Sequence, residues 1–261
     1  MDEVVARLRA AGCVFAEDEA DLLVEAAAGS AADLERMLVR RVAGDPLEQI
    51  LGWAEFAGLR IRVTPGVFVP RRRSELLVRC ALSALAGVKD PLVLDLCCGS
   101  AALGAAIAAA RPDARVWAAD LDPAATASAR LNLPPHQVLE GDLFEALPLH
   151  LRGRIDAIVV NAPYVPTAAI ATMPPEARLF EAPMALDGGV DGLDVQRRVI
   201  AGAPEWVAPG GTLLIETSER QAPQTAALFE AAGLHPQIER DDDLDATAVI
   251  GRTGRMRKAT G

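Results

Sequence analysis

The stretch of sequence that decides the fold is Leu92-Val93-Leu94-Asp95-Leu96-Cys97-Cys98-Gly99-Ser100. It starts with a short apolar run, which predicts a buried strand over residues 92–96. A turn of small residues follows, and the alanine-rich segment 101–110 predicts a helix directly behind the turn. Such a turn lets the backbone approach a ligand, and the helix N-terminus offers free N–H groups. The stretch therefore predicts the first strand and the ligand-binding turn of an α/β domain.

Helices and strands alternate on both sides of this stretch. The predicted helices are 75–85, 123–131, 195–207 and 222–232, and the further predicted strands are 115–119, 137–139, 155–160, 212–216 and 247–250. Regular alternation of this kind predicts a mainly parallel sheet with helices on both faces. Ligands of such sheets bind beyond the carboxyl ends of the strands, so the functional residues are expected there.

The N-terminal part of the chain has a different pattern. Residues 1–50 contain three apolar-periodic stretches separated by glycines, which predict a small helical domain. Residues 51–73 contain an alternating segment and a Thr64-Pro65-Gly66 turn, which predict a hairpin linker. We therefore predict a small helical domain at 1–50, the linker at 51–73 and a ligand-binding domain at 74–261.

Composition narrows the class of protein. The chain has 36 acidic and 26 basic residues, a net charge of −10, which disfavours a general nucleic-acid binder. Two short basic clusters remain candidates for local patches, Arg71-Arg72-Arg73 and Arg252, Arg255, Arg257 and Lys258. Long apolar runs and a secretory signal are both missing from the sequence, so we expect a cytoplasmic protein without membrane spans. The spacing of the four cysteines does not match a metal site, and free thiols are expected.

Acidic residues follow the second and third predicted strands. Asp120 lies about 20 residues after the turn, where an acid binds ribose hydroxyls. The turn has only Gly99 and Gly104 of a three-glycine fingerprint, so a nicotinamide dinucleotide is not favoured. Asp142 is placed either to accept a hydrogen bond from an adenine amino group, with Leu143 against the ring, or to cap a short helix.

Asn161-Ala162-Pro163-Tyr164 directly follows an apolar strand. The Asn161 side-chain oxygen and the Ala162 carbonyl are two acceptors that suit the two hydrogens of a planar amide or amine nucleophile. Holding both hydrogens would fix the nitrogen in front of an electrophilic methyl group. Tyr164 would pack its ring on the flat substrate group. The alternative is an ordinary strand-to-loop turn with a packed tyrosine.

With this tetrapeptide the sequence resembles the HemK/PrmC-type protein N(5)-glutamine methyltransferases, whose hallmark is Asn-Pro-Pro-Tyr. Further motifs in the family's order extend the resemblance over nearly the whole chain. They are Pro46-Leu47-Glu48-Gln49-Ile50-Leu51-Gly52, Ala54-Glu55-Phe56, Gly66-Val67-Phe68-Val69-Pro70-Arg71, Ser74-Glu75, Ala185-Leu186-Asp187-Gly188-Gly189, Asp191-Gly192-Leu193, Pro209-Gly210-Gly211 and Val249-Ile250-Gly251-Arg252.

The resemblance implies a Rossmann-like class I methyltransferase fold with a mainly parallel seven-stranded sheet. It implies that the helical domain at 1–50 is a substrate-recognition domain and that residues 74–261 form the S-adenosylmethionine-binding methyltransferase domain. It also implies methyl transfer from S-adenosyl-L-methionine, leaving S-adenosyl-L-homocysteine, to the glutamine of a Gly-Gly-Gln motif in a peptide-chain release factor. Asn161, Ala162, Pro163 and Tyr164 would form the catalytic site. The expected cofactor site comprises Phe68, Pro70, Arg71, Asp95, Cys97, Gly99, Asp120, Leu121, Asp142, Leu143 and Asn161. We expect a monomer without stable nucleic-acid binding.

The sequence departs from the family pattern at a few positions. Cys97 and Ala101 replace glycines of the cofactor turn, so we expect that turn to differ locally, because positive φ would strain Cys97. Ala162 replaces the first proline of the hallmark, and Arg72-Arg73 replace a Pro-Glu pair. Such changes leave two alternatives open. One is a methyltransferase for another planar amide or amine, in a small molecule or nucleic acid, and the other is a non-catalytic cofactor-binding module.

Overall fold

The computed structural model describes residues 1–254. The N-terminal part is helical, as the apolar periodicity predicts. Its helices are α1 (Asp2–Ala10), α2 (Ala16–Ala27), α3 (Ala31–Val42) and the short α4 (Leu47–Leu51). Leu8, Leu23 and Leu38 are fully buried between the first three helices. The side chain of Ser30 caps α3 by accepting a hydrogen bond from the Asp33 N–H at 3.3 Å.

An antiparallel hairpin follows, formed by β1 (Trp53–Phe56) and β2 (Leu59–Arg62). The remaining strands are β3 (Leu92–Leu96), β4 (Arg115–Asp120), β5 (Val138–Glu140), β6 (Ile155–Val160), β7 (Val207–Thr217), β8 (His235–Asp241) and β9 (Ala246–Arg252). The remaining α-helices are α5 (Glu75–Ala84), α6 (Ala102–Ala110), α7 (Pro123–Ala129), α8 (Pro175–Phe180), α9 (Asp194–Trp206) and α10 (Ala222–Ala231).

Strands β3 to β9 form one seven-stranded sheet in the order β5-β4-β3-β6-β7-β9-β8. The pairs from β5 to β7 are parallel, whereas β9 runs antiparallel to both β7 and β8. The predicted α/β class with a mainly parallel sheet is confirmed. The sheet order reverses between β4 and β6 around β3, which creates a crevice at the carboxyl end of β3.

The central strands are apolar because helices cover both of their faces. Val93 points to the face that α5 and α6 cover, and Leu94 points to the face that α9 and α10 cover. All five residues of β3 are buried. Burial on both sides fixes the position of this strand, and with it the turn that begins at Cys97.

Some features were not predicted from the sequence. Strand β8 completes the sheet at its edge, and α8 lies in the long segment after the tetrapeptide. Of the predicted basic tail, Arg252 ends β9, whereas Arg255, Arg257 and Lys258 lie outside the described residues. No helix within residues 1–254 has both the length and the apolar character needed to cross a bilayer. The division at residues 50 and 73 stays a prediction.

Candidate active site

A cavity of about 450 Å³ opens at the carboxyl ends of the central strands. Every residue predicted for the catalytic and cofactor sites lines it. These residues are Phe68, Pro70, Arg71, Asp95, Cys97, Gly99, Asp120, Leu121, Asp142, Leu143, Asn161, Ala162, Pro163 and Tyr164. The structure therefore brings the whole predicted set together, while the role of each residue stays a prediction.

The turn after β3 keeps left-handed backbone at the positions where glycines were expected. The φ angles are 57° at Cys97, 54° at Gly99 and 59° at Ala101. The expected local difference of this turn is therefore not seen. A residue with a Cβ is strained in this region by roughly 1–2 kcal/mol, so the surrounding contacts hold Cys97 and Ala101 there. The backbone can still approach a ligand as closely as the turn requires.

Asp120, at the end of β4, stabilises this turn. Its carboxylate accepts hydrogen bonds from the Gly99 N–H at 2.8 Å and from the Asp122 N–H at 2.9 Å. Burial raises its pKa above the ordinary value for an aspartate. Each carboxylate oxygen retains lone pairs beyond these contacts, which can accept hydrogen bonds from ribose hydroxyls.

Asp95 is a fully buried acid at the end of β3. Its Oδ2 accepts the Gly104 N–H at 2.8 Å, while its Oδ1, among residues 1–254, has no hydrogen-bond partner. Burial raises the pKa of Asp95 to about 8. A buried, unpartnered carboxylate oxygen on a cavity wall suits a cation, and the sulfonium cofactor carries an ammonium group. The residues present thus fit S-adenosyl-L-methionine.

Asp142 follows β5 and lines the same cavity. Its side chain makes no capping hydrogen bond to the short helix that follows, so the capping alternative is wrong. Instead its Oδ2 accepts a hydrogen bond from the Arg198 guanidinium at 2.7 Å. Leu143 has a φ of 49°, which turns this segment along the cavity. The sequence did not point to Arg198, which also lines the cavity.

The basic run at 71–73 is one of the two candidates for a local basic patch. Arg71 donates to Glu181 at 2.5 Å, and Glu181 is buried. Arg73 donates to Glu216 at 3.3 Å, and Glu216 is buried as well. Two of the three arginines are therefore neutralised by carboxylates from distant parts of the chain, which argues against a basic binding patch.

Asn161 begins the tetrapeptide directly after β6. Its Nδ2 donates to the Ser74 hydroxyl at 3.1 Å, which leaves Oδ1 available as an acceptor, and Asn161 lines the cavity. Within the described part of the chain, neither this oxygen nor the carbonyl oxygen of Ala162 accepts a hydrogen bond. The site thus offers two unused acceptors on consecutive residues, which is the number that the two hydrogens of an amide –NH₂ group require.

Tyr164 closes the tetrapeptide and is the only tyrosine of the chain. Its hydroxyl donates to Glu216 at 3.3 Å, and the Arg73 guanidinium lies 5.8 Å from the ring centroid. Burial and the Glu216 charge raise its pKa above the ordinary value, so the phenol stays neutral and its ring presents a flat apolar surface to the cavity.

The backbone of Tyr164 is fixed by Gly192, and this contact gives a testable prediction. Gly192 has a φ of 79°, and a Cβ there would collide with the Tyr164 carbonyl and the Gln221 side-chain amide. Gly192→Ala should therefore displace Tyr164 and lower kcat by roughly 100-fold, because small displacements of positioning groups cost about that much. Steady-state kinetics and thermal unfolding measure the effect.

Gly58→Ala is the matched control. Gly58 has a φ of 75°, but a Cβ there would have no atom within 4 Å. This substitution should cost about 1 kcal/mol of stability from backbone strain and leave kcat unchanged. Equal kinetic effects of the two substitutions would contradict the steric explanation.

The seven-stranded sheet and a cavity that fits the sulfonium cofactor at the carboxyl ends of its strands define an S-adenosylmethionine-dependent class I methyltransferase. The profile of the family "Methyltransferase small domain" matches residues 58–191, about half of the chain. The release factor glutamine methyltransferase of Geobacter sulfurreducens is 37% identical over 219 residues, covering 82% of this chain and 75% of that protein. The chain therefore belongs to the family of release factor glutamine methyltransferases.

Two further proteins, one compared by sequence and one by structure, are similar to this chain. The 4-amino-L-phenylalanine/4-methylamino-L-phenylalanine methyltransferase of Streptomyces pristinaespiralis is 37% identical over 201 residues, covering 74% of this chain and 68% of that protein. A 16S rRNA methyltransferase of T. thermophilus, solved with AdoMet and guanosine, has a TM-score of 0.56 and 22% identity. It covers 77% of this chain and 49% of that chain, and it supports the fold alone.

Proposed function

We propose that this enzyme methylates the side-chain amide nitrogen of the glutamine in the Gly-Gly-Gln motif of a peptide-chain release factor. The observation that carries the proposal is the pair of unused acceptors, Asn161 Oδ1 and the Ala162 carbonyl, in a cavity that the half-buried Tyr164 also lines. Family membership supports the same acceptor group. A protein substrate and a cytoplasmic location follow from this function and belong to the proposal.

The proposed chemistry places most of the work on positioning. When bound, S-adenosyl-L-methionine supplies an electrophilic methyl group on a sulfonium. An amide nitrogen is a poor nucleophile because its lone pair is delocalised into the carbonyl group. Asn161 Oδ1 and the Ala162 carbonyl accept its two hydrogens, which holds the nitrogen towards the methyl group and supplies several kcal/mol of the barrier. The N–C bond forms as the S–C bond breaks, and the nitrogen then loses one proton to solvent.

The remaining cavity residues divide into two groups in this proposal. Asp95, Asp120 and Asp142 hold the cofactor through its ammonium, ribose and adenine groups. The ring of Tyr164 packs against the flat glutamine amide. The residues of the catalytic tetrapeptide therefore touch the acceptor, whereas the three acids set cofactor affinity.

The test is mass spectrometry of purified release factors after incubation with the enzyme and S-adenosyl-L-methionine carrying a labelled methyl group. We expect one labelled methyl group on the glutamine of the Gly-Gly-Gln motif. A release factor with that glutamine changed to glutamate is the matched control and should stay unlabelled. An enzyme that binds the cofactor but modifies no release factor would contradict the proposal.

The same assay separates the alternatives. Because one relative is named for an aminophenylalanine, that arylamine is included as a competing acceptor; a kcat/KM for it above that for the release factor would replace the proposed substrate. Calorimetry with S-adenosyl-L-methionine addresses the non-catalytic alternative. No binding at millimolar cofactor would favour a binding module over an enzyme.

A further inference from the structure

Two segments of the active-site cavity wall belong to neither sheet of the described chain. Residues 66–69 follow the hairpin, and residues 180–182 begin at the last residue of α8. We call these two segments the outer wall. Its residues that line the cavity are Gly66, Val67, Phe68 and Ala182. Because Phe68 is one of the predicted cofactor residues, the position of the outer wall bears on cofactor binding.

Few backbone contacts join the two segments of the outer wall. An isolated parallel bridge pairs Gly66 with Glu181, and the Ala182 N–H donates to the Gly66 carbonyl at 3.2 Å. The buried Glu181 adds a side-chain contact, because its Oε1 accepts the Val69 N–H at 3.2 Å. A strand inside a sheet has a ladder of backbone bonds. Within residues 1–254, the outer wall has instead these contacts and one further side chain.

That side chain is Gln49, which is buried and lies on α4. Its Nε2 donates to the carbonyl oxygens of Val67 and Phe180, each at 3.1 Å. Its Oε1 accepts the Gly66 N–H at 3.2 Å. An amide has two hydrogens to donate, and both go to the outer wall, one to each segment. Gln49 therefore joins the two segments to each other.

Gln49 is itself held by the N-terminal helices. Its neighbours Leu47 and Ile50 pack against the buried apolar cluster of α1, α2 and α3. A second contact runs from α3 to α8, where Arg41 Nη1 donates to Glu176 Oε1 at 3.1 Å. Glu176 also lines the cavity. The helical part of the chain is thus bonded to one side of the predicted cofactor site.

We propose that Gln49 is a positioning residue for the cofactor: it holds the two segments of the outer wall together. Removing its amide leaves three buried backbone groups without this partner, which disfavours the arrangement that buries them. The apparent affinity for the cofactor then falls with the fraction of molecules whose outer wall is in place. The inference rests on the proposed function, because that proposal assigns the cofactor to this cavity.

Calorimetry with S-adenosyl-L-methionine compares the wild type with Gln49→Met. Methionine keeps the approximate length of the side chain and removes its hydrogen-bonding atoms. The dissociation constant should rise roughly 10-fold, since about one molecule in ten would then have the outer wall in place. At saturating cofactor the binding-competent arrangement is restored, so kcat should stay within about threefold.

Gln196→Met is the matched control. Gln196 is also buried, and its Oε1 accepts a hydrogen bond from the Thr225 hydroxyl at 2.8 Å. Neither residue is among the described residues that line the cavity. Gln196→Met should lower the melting temperature and keep the dissociation constant within about twofold, because it leaves the outer wall intact. Equal losses of affinity in Gln49→Met and Gln196→Met would overturn the inference.

Amide hydrogen exchange tests the outer wall without substrate or cofactor. Gln49→Met should speed exchange in peptides covering 66–69 and 180–182 by roughly 10-fold, because local opening exposes their N–H groups. Strand β3 should exchange at the wild-type rate. Unchanged exchange in the outer wall of folded Gln49→Met overturns the inference. A wild-type enzyme that binds the cofactor and methylates no release factor defeats the proposed function instead, and exchange and affinity still decide the role of Gln49.

If Gln49→Met fails to fold, Ala182→Pro decides the question. Ala182 has a φ of −60°, and Glu181 before it is extended, with φ −105° and ψ 149°. Both conformations accept a proline at position 182. The substitution removes the N–H that bonds to the Gly66 carbonyl, and the proline ring occupies the place of that hydrogen. A dissociation constant raised roughly 10-fold in folded Ala182→Pro supports the inference, and one within about twofold of the wild type overturns it.

Discussion

Asn161→Ala should lower kcat for methyl transfer by about two to three orders of magnitude. The substitution removes one of the two acceptors proposed to hold the nucleophilic amide, and loss of one preorganised hydrogen-bonding group in an active site costs about that much. It also leaves the Ser74 hydroxyl without its donor. Single-turnover kinetics at saturating cofactor measures the chemical step without interference from product release.

The control for Asn161→Ala is the affinity for the cofactor. Asn161 lines the cavity with many other residues, so the dissociation constant should change far less than kcat. A rate within about threefold of the wild type would contradict the role of Asn161. A parallel loss of melting temperature and rate would attribute the effect to folding.

Asp95→Asn should weaken cofactor binding by about 10-fold to 100-fold. In the cofactor-free protein, the same substitution should increase the free energy of unfolding at neutral and alkaline pH. A hydrogen bond to a charged group is worth about 1.5–3 kcal/mol, which sets the loss of affinity. The stability gain follows from the pKa of about 8. The folded state retains a proton that the unfolded chain releases near pH 4, so stability falls as the pH rises from about 4 to about 8.

Urea unfolding of the cofactor-free proteins at pH 5, 7 and 9 tests the predicted change in stability. Wild type should lose stability relative to Asp95→Asn across this range. Asp113→Asn is the control. Arg111 lowers the pKa of Asp113 to about 2, so Asp113 is ionised in both the folded and the unfolded protein above pH 5. Asp113→Asn should therefore lower the free energy of unfolding by the same amount at all three pH values. If the free energy of unfolding changed equally with pH in wild type and in Asp95→Asn, Asp95 would be ionised in the folded protein over this range.

Local patterns were enough to predict most of the sheet. Residues 92–96 are apolar apart from Asp95 because both faces of β3 are covered, and Asp120 was found from its spacing to the turn. Strand β8 was missed because it is an edge strand whose residues are half-buried or exposed, so its sequence lacks the apolar signal of an inner strand.

The contacts between distant residues could not be predicted. Asn161 meets Ser74 across 87 positions of the chain, and Arg73 meets Glu216 across 143. No periodicity or spacing encodes such pairs, because they depend on the complete fold. For this reason the arginines at 71–73 looked like a surface patch, and the acid behind Tyr164 went unnoticed.

The second acceptor that we propose for the substrate amide, the Ala162 carbonyl, belongs to the main chain. Ala162 stands where the family hallmark has proline, and both residues present the same carbonyl. No codon change can delete this group, so selection at position 162 acts only on the shape of the loop. A search that demands proline there would discard this chain, and alanine scanning cannot remove this carbonyl. Its contribution can be measured only by chemical synthesis that alters the backbone itself.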